Sequence, residues 1–176
     1  MKLLIPYIAG LVDGDGCFQL QVAIRKNGSF VINSRVMIGM KHFRGEEKLL
    51  KEVQSFFNAG KIYISNKGKE NAVIRWMTTN VNDTAKVCEI VKPHLRLKIK
   101  QSQQLLWACN LVKSKASKRY IKGYLTKSSD IYSKAEMLKI VNIATTMNVG
   151  MQTNRFRKAK GRDTQYYINQ LNKIYG

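Results

Sequence analysis

Residues 8–16 of this chain read Ile-Ala-Gly-Leu-Val-Asp-Gly-Asp-Gly, an apolar segment that ends in two aspartates set between glycines. An apolar stripe at helical spacing is formed by Ile8, Leu11 and Val12. Gly10 and Gly14 lie one turn apart, and a glycine inside a helix costs about 1 kcal/mol relative to alanine. The most direct reason for a chain to tolerate this cost is that a second backbone approaches the helix closely at the two glycines. The segment therefore predicts a helix that packs against another chain segment through its small residues.

The same segment places two carboxylates, Asp13 and Asp15, at the end of the predicted helix. Oxygen ligands at such a position suit a hard divalent cation such as Mg²⁺. An EF-hand calcium loop is excluded, because the position that requires glutamate, counted from Asp13, is Ile24. The aspartates therefore indicate either a metal site or a turn that simply ends the helix.

The charge of the chain points to a polyanionic partner. It carries 31 Lys and Arg against 11 Asp and Glu, a formal net charge of +20, and nucleic acid is the first candidate for such an excess. With 44% hydrophobic residues, the chain can bury a core, so it is not a disordered basic tail. The length predicts one domain over residues 1–176, and no apolar run is long enough to predict a membrane span. Reduced, buried thiols of an intracellular protein, without zinc spacing, are expected at Cys17, Cys88 and Cys109.

Apolar periodicity predicts the order α-β-β-α-β-β-α, followed by more helix. Strands are predicted from alternation at 18–24, 30–41, 61–65 and 71–78, and helices at 45–57, 102–112, 133–147 and 166–174. A further helix is expected to begin with Asn82 or Asp83 as its cap and to stop before Pro93. Four antiparallel strands with one apolar face imply an α+β fold with helices on one side of the sheet.

The other face of the predicted sheet carries polar and basic side chains of the types that contact base edges in the major groove. With the adjoining cations, the set comprises Gln19, Gln21, Arg25, Lys26, Asn33, Arg35, Lys41, Lys61, Tyr63, Ser65 and Arg75. An ordinary solvated face is the alternative interpretation. Near the C-terminus, Arg155, Arg157 and Lys158 lie in a segment without acidic residues up to Arg162, which is expected to bind flanking phosphates.

The string Tyr7–Phe18 closely resembles the signature motif of the LAGLIDADG homing endonucleases, with its small residues and both aspartates in place. A second stretch, Pro93-His94-Leu95-Arg96-Leu97-Lys98-Ile99-Lys100-Gln101, is similar to another element of that family. The resemblance extends over about residues 3–113. It implies an αββαββα core with a saddle-shaped four-stranded antiparallel sheet, and it leaves about 114–176 as a basic helical extension.

The resemblance also implies roles for individual residues. Asp15 would bind the catalytic Mg²⁺, with the Gly14 carbonyl as a secondary ligand, and Ca²⁺ or Mn²⁺ could substitute in binding. Lys98 corresponds to a basic residue near the attacking water, where it would stabilise charge, although a lysine that only binds phosphate is the alternative. His42 occupies a position that more commonly holds a water-orienting glutamine, so whether it positions water or acts as a base stays open.

Only one copy of the motif is present, because the nearest second candidate, Tyr120–Asp130, lacks the tandem acids. A homodimer joined through Ala9, Gly10 and Gly14 would bring two Asp15 carboxylates together. The predicted function is that of an intron-encoded enzyme that hydrolyses both strands of a long pseudo-palindromic DNA target, leaving 3′ overhangs. An intron RNA maturase, or a non-catalytic DNA-binding protein on the same scaffold, is the alternative. No membrane association is expected, and an intracellular location, including a eukaryotic organelle, agrees with the sequence.

Overall fold

The computed structural model describes residues 4–25, 29–43, 45–118, 120–121, 124–125, 128–147 and 164–176. Its elements are α1 (Ile5–Asp15), β1 (Gly16–Ile24), β2 (Phe30–Lys41), α2 (Glu46–Phe57), β3 (Lys61–Ser65), β4 (Val73–Met77), α3 (Val81–Val91), α4 (Ile99–Ser114), β5 (Tyr120–Ile121), β6 (Tyr124–Leu125), α5 (Lys134–Thr146) and α6 (Thr164–Tyr175). The first four strands form one sheet in the order β1-β2-β4-β3. The predicted α+β class and the element order of the first seven elements are confirmed.

The chain divides into two compact units. The first contains the residues up to Gln19 together with Ser34–Asn110, and the second contains Leu20–Asn33 together with the residues from Leu111 onward. The hairpin of β1 and β2 therefore contributes to both units. Among the described helices, none combines the length and the apolar character that a bilayer crossing requires.

In the first unit, β2, β4 and β3 are antiparallel, and their inward side chains build the core. Ile38, Trp76 and Ile62 occupy one row across the three strands, and Ile38 and Trp76 are fully buried. Phe57 at the end of α2 stacks on Trp76 with ring centroids 5.5 Å apart. The indole N–H of Trp76 donates to the Ala59 carbonyl at 3.0 Å, so the polar atom of this large buried ring has a partner.

Helix boundaries in this unit follow from local backbone chemistry. The α2 helix ends where Asn58 adopts a φ of 44° and Gly60 a φ of 81°, and a Cβ on Gly60 would lie 2.6 Å from the Trp76 ring nitrogen. The expected cap of α3 at Asn82 or Asp83 is wrong. Asn80 is the cap, because its extended backbone lets its side chain accept from the Asp83 N–H at 2.8 Å.

In the second unit, α5 and α6 pack together around buried Met137, Ile140 and Leu171. Helix α5 begins with a capping box between Ser133 and Glu136. The two short strands β5 and β6 lie within the segment 120–130 and pair with each other. The described residues of that segment are therefore not part of a second motif helix, as expected from the missing tandem acids.

The three thiols differ in exposure. Cys88 and Cys109 are buried as expected, whereas Cys17 is partly exposed. Burial raises the pKa of the Cys88 thiol, and the neighbouring Cys109 raises it further. Cys88 is therefore a neutral core residue and not a reactive thiolate.

Candidate active site and nucleic-acid interface

The motif helix α1 passes directly into strand β1 without a connecting loop. Gly16 makes this possible, because a Cβ at this position would lie 2.5 Å from the Val12 carbonyl oxygen. The backbone N–H of Gly16 donates to that same carbonyl. Asp15 is the last residue of the helix and is exposed, so its carboxylate lies at the surface where helix and strand meet.

Asp13 has a different environment from Asp15. Its carboxylate accepts from the backbone N–H groups of Arg96 at 2.6 Å and Lys98 at 3.0 Å. Burial raises the pKa of Asp13, but the backbone donors of Arg96, Lys98 and Leu97 and the charge of Lys98 outweigh it, and the pKa is lowered overall. Asp13 is thus an ionised structural residue that holds the 96–98 segment against α1.

Lys98 lies against the end of α1, and its implied role near an attacking water stays a prediction. Its side chain is 4% exposed, and its ammonium donates to backbone carbonyls at the end of α1. These are the carbonyls of Val12 at 2.9 Å, Asp13 at 2.7 Å, Gly16 at 2.8 Å and, more weakly, Gly14 at 3.4 Å. Burial lowers the pKa of Lys98, and the charges of Asp13, Cys17 and Asp15 oppose this only in part. The partial negative charge of the helix C-terminus favours a cation at this position and explains the placement.

His42 directly follows the last residue of β2, and its ring lies near Glu47 of α2. Its backbone N–H donates to the Ala72 carbonyl at 2.8 Å, and its Nε2 is 3.8 Å from a carboxylate oxygen of Glu47. The hydrogen bond and charge of Lys51, and to a smaller extent the charge of His42, lower the pKa of Glu47. The structure therefore shows His42 next to a carboxylate of α2, and its role in catalysis stays a prediction.

The donor set at the end of α1 fits a magnesium ion only in part. Within the described ranges, no three His, Cys, Asp or Glu side chains converge on one point. One chain offers the exposed Asp15 carboxylate and, beside it, the Gly14 carbonyl, which Lys98 contacts only weakly. Mg²⁺ is commonly bound by one or two carboxylates together with phosphates and waters. The site fits the ion if a second chain and nucleic acid supply the remaining oxygens.

The small residues of α1 fall on two different sides of the helix. Ala9 is fully buried by its own chain, so its assignment to a dimer interface is wrong: the core of the same chain covers that side. Gly10 and Gly14 are exposed, and no heavy atom lies within 4 Å of a Cβ built on either. The large exposed apolar side chains of the same unit include Leu4, Tyr7, Leu97 and Ile99.

A cleft of about 840 Å³ lies along this open side of α1. It is lined by Pro6, Gly10 and Asp13 from the motif helix and by residues 93–96 and Ile99 from the following segment. The exposed surface of the motif helix is therefore concave, lined by both polar and apolar groups, and accessible to another protein segment.

The outward face of β2, β4 and β3 brings several predicted nucleic-acid contacts into register. Arg75 lies between Gly39 and Tyr63 in one row across the sheet. Gly39 leaves room for the Arg75 stem, because a Cβ at Gly39 would lie 3.2 Å from the Arg75 Cγ. The guanidinium donates to Ser65 Oγ at 3.0 Å. Neighbouring rows contain Lys61 with Met77 and Met37, and Ser65 with Val73 and Lys41.

The remaining predicted contacts lie on the hairpin. Gln19 and Arg35 are partly exposed in the first unit, and Gln21, Arg25 and Asn33 are exposed in the second. Lys26, Arg155, Arg157 and Lys158 lie outside the described residues. Sequence reasoning missed Met37, Gly39 and Met77, because it selected only polar side chains; the strand alternation alone would have placed all three on the outward face.

Comparison with known proteins agrees with the geometry. Residues 8–111, more than half of the chain, match the sequence profile of the LAGLIDADG endonucleases. Comparison with curated proteins gives no significant match.

The fold is similar to solved structures of homing endonucleases. One is I-CvuI in complex with a DNA target in the presence of Ca²⁺, at 15% identity and a TM-score of 0.70, with 97% of this chain and 93% of that chain covered. Another is the archaeal intron-encoded I-Vdi141I complexed with DNA, at 14% identity and a TM-score of 0.71, with 97% and 95% covered. The I-AabMI meganuclease bound to uncleaved DNA is 19% identical, with a TM-score of 0.61 and 84% and 45% covered. From the motif, the fold and the matching profile together, this chain is a member of the LAGLIDADG endonuclease family.

Proposed function

We propose that this protein is a site-specific DNA endonuclease that cuts both strands of a long, pseudo-palindromic target as a homodimer, using Mg²⁺ held by Asp15. The observation that carries the proposal is the exposed Asp15 carboxylate at the end of α1, beside the open glycine surface of the same helix. The neighbouring Asp13 is already occupied by backbone donors. Asp15 is thus the motif carboxylate available to a metal.

The need for a second chain follows from the count of carboxylates. Each chain presents one motif aspartate to solvent, whereas two strands require two cleavage events. A two-fold contact through Gly10 and Gly14 would place both copies of Asp15 near the axis, and the target would share that symmetry. The apolar side chains beside the cleft, Leu97 and Tyr7 among them, would be covered by such a contact. The chain covers only 45% of I-AabMI, a length that would accommodate two such units in one chain.

The residues of this chain would share the work of hydrolysis. Bound Mg²⁺ would supply a water of lowered pKa and neutralise charge on the cleaved phosphate. Asp15 would hold the ion at the helix end, and the sheet face with Arg75, Tyr63 and Lys61 would fix the DNA in one register. By family resemblance, cleavage would be staggered with 3′ overhangs, the enzyme would act in intron homing, and Ca²⁺ or Mn²⁺ could occupy the same ligands.

The test is selection of cleaved sequences from a random DNA library with and without Mg²⁺, followed by comparison of wild type with Asp15→Asn. Wild type should cut a long symmetric sequence only with the metal. Asp15→Asn should bind that sequence within about tenfold of wild type and leave it uncut, because the carboxylate contributes little to base or phosphate contacts.

Asp130→Asn is the matched control, since it makes the same change at an exposed carboxylate of the second unit. Its cleavage should equal that of wild type. Mg²⁺-dependent cutting by Asp15→Asn would refute the metal assignment. Absence of any cutting by wild type, together with promotion of intron RNA splicing, would favour the maturase.

A further inference from the structure

We propose that Lys98 and Asp13 are positioning residues that together fix the last turn of α1 and so aim the Asp15 carboxylate. In this view Lys98 does not touch the reacting phosphate or water. The inference rests on the proposed function, because it explains how a metal-binding carboxylate is held in place.

All the hydrogen-bonding capacity of the Lys98 ammonium is taken up by backbone carbonyls near the end of α1. It has three hydrogens, and three carbonyl oxygens accept from it at 2.7–2.9 Å, those of Asp13, Gly16 and Val12. These carbonyls belong to the last turn of α1 and to the first residue of β1, and the Val12 carbonyl also accepts from the Gly16 N–H. To reach a phosphate, the ammonium would have to leave partners that also keep it almost entirely out of solvent.

Asp13 closes the same connection from the opposite direction. Its two carboxylate oxygens accept from the backbone of Arg96 and of Lys98, while the side chain of Lys98 donates to the backbone of Asp13. Each residue thus binds the main chain of the other. We call this pair of contacts the Asp13–Lys98 latch. Asp15 follows Asp13 by one glycine, so the latch sets the direction in which its carboxylate leaves the helix.

A latch and a direct catalytic contact predict different kinetic signatures. Residues that orient a metal ligand typically change metal affinity by about 10–100-fold when removed. A group that stabilises transition-state charge by contact lowers the maximal rate by about 100-fold or more, with no need to alter metal binding. The dependence of cleavage on metal concentration therefore separates the two roles.

The experiment compares wild type, Lys98→Met, Asp13→Asn and the double variant on the selected target. Cleavage is measured against Mg²⁺ concentration, and Ca²⁺ binding to the protein–DNA complex is measured by calorimetry. Each single variant should raise the half-saturating Mg²⁺ concentration by about tenfold or more and weaken Ca²⁺ binding by a similar factor. The double variant should show nearly the same half-saturating Mg²⁺ concentration and Ca²⁺ affinity as either single variant, because both substitutions break the same connection. Lys100→Met is the matched control, an exposed lysine of α4 outside the latch.

Thermal unfolding of each variant shows whether it is folded. If Lys98→Met does not fold, Asp13→Asn decides, since its amide oxygen can still accept one of the two backbone N–H groups. A lower maximal rate with unchanged Mg²⁺ half-saturation and unchanged Ca²⁺ binding would overturn the latch and leave the endonuclease function intact. A wild type that cuts no DNA with Mg²⁺ would overturn both.

Discussion

Asp13 and Asp15 lie within one helical turn, but their carboxylates have different surroundings. Asp13 faces the 96–98 segment and is held by its backbone donors. Asp15 lies where Gly16 turns the chain into β1, and it is exposed. The motif therefore combines a structural carboxylate with an exposed one, to which we assign the metal. We therefore expect Asp15→Asn to abolish cleavage and Asp13→Asn to weaken metal binding.

Arg75 is the sheet residue for which the structure gives the sharpest expectation. Its stem lies over Gly39 and its guanidinium is oriented by Ser65, a rigid arrangement suited to a bidentate contact with a base. Arg75→Ala should cost about 1–3 kcal/mol per half-site and relax specificity at one symmetric pair of positions. Specificity profiling of cleaved libraries measures this.

Arg75→Lys is the matched variant, because it keeps the charge and loses the planar fork. It should retain binding to non-specific DNA while losing the same base preference. Equal weakening on all sequences by Arg75→Ala, with recovery by Arg75→Lys, would mean that Arg75 contacts only phosphate.

At the N-terminus of α5, the capping box offers a test of stability in the second unit. Ser133 accepts from the Glu136 N–H, and Glu136 accepts from the Ser133 N–H and from Lys115. Ser133→Ala should lower the free energy of unfolding by about 1 kcal/mol. Chemical denaturation followed by circular dichroism measures the loss, and Ser117→Ala, at an exposed position outside the box, is the control.

The partner residue Glu136 adds a pH dependence of known sign. The Ser133 backbone N–H, and then Lys115, lower the pKa of Glu136 below its ordinary value of 4.5. The stabilisation is therefore present above pH 4.5 and is lost as the pH falls through the lowered pKa. The difference in melting temperature between wild type and Glu136→Gln should shrink below about pH 4.5. A difference that stays constant down to pH 3 would contradict the ionised cap.

The elements were predictable because their apolar spacing is local, and α2 and β3 appear within a residue of where the sequence placed them. The cap of α3 could not be predicted in the same way, because Asn80 precedes the periodic residues that defined the helix. The latch was not predictable either, since Lys98 and Val12 are 86 residues apart in the chain and only the tertiary fold brings them together. Ala9 was misassigned because the sequence does not show whether a small residue of a helix faces the core of its own chain or a second chain.

For the assembled protein, the open glycine surface gives a direct test of the homodimer. A Cβ at Gly10 would meet nothing within 4 Å in a single chain, so the Gly10→Leu variant should fold normally. Its only effect should be to push apart the two α1 helices of a dimer. Sedimentation should show the wild type as a dimer at micromolar concentration and the variant as a 20.1 kDa monomer. The variant should also lose double-strand cleavage.

Gln103→Leu serves as the control, because it adds the same side chain to an exposed position of α4. It should remain dimeric and active. A monomeric wild type that still cuts both strands would rule out the two-copy arrangement.

The hydroxyl of Tyr167 in α6 donates to the Val22 carbonyl of β1 at 2.9 Å, and β1 is an edge strand of its sheet. Exposed edge strands invite pairing with other molecules and promote aggregation. Because Tyr167 occupies a carbonyl of this strand, α6 covers part of the edge, and loss of α6 should make the protein more prone to aggregation. A version of the chain that ends before Thr164 would therefore need another way to protect this edge, such as a lysine or proline placed along β1.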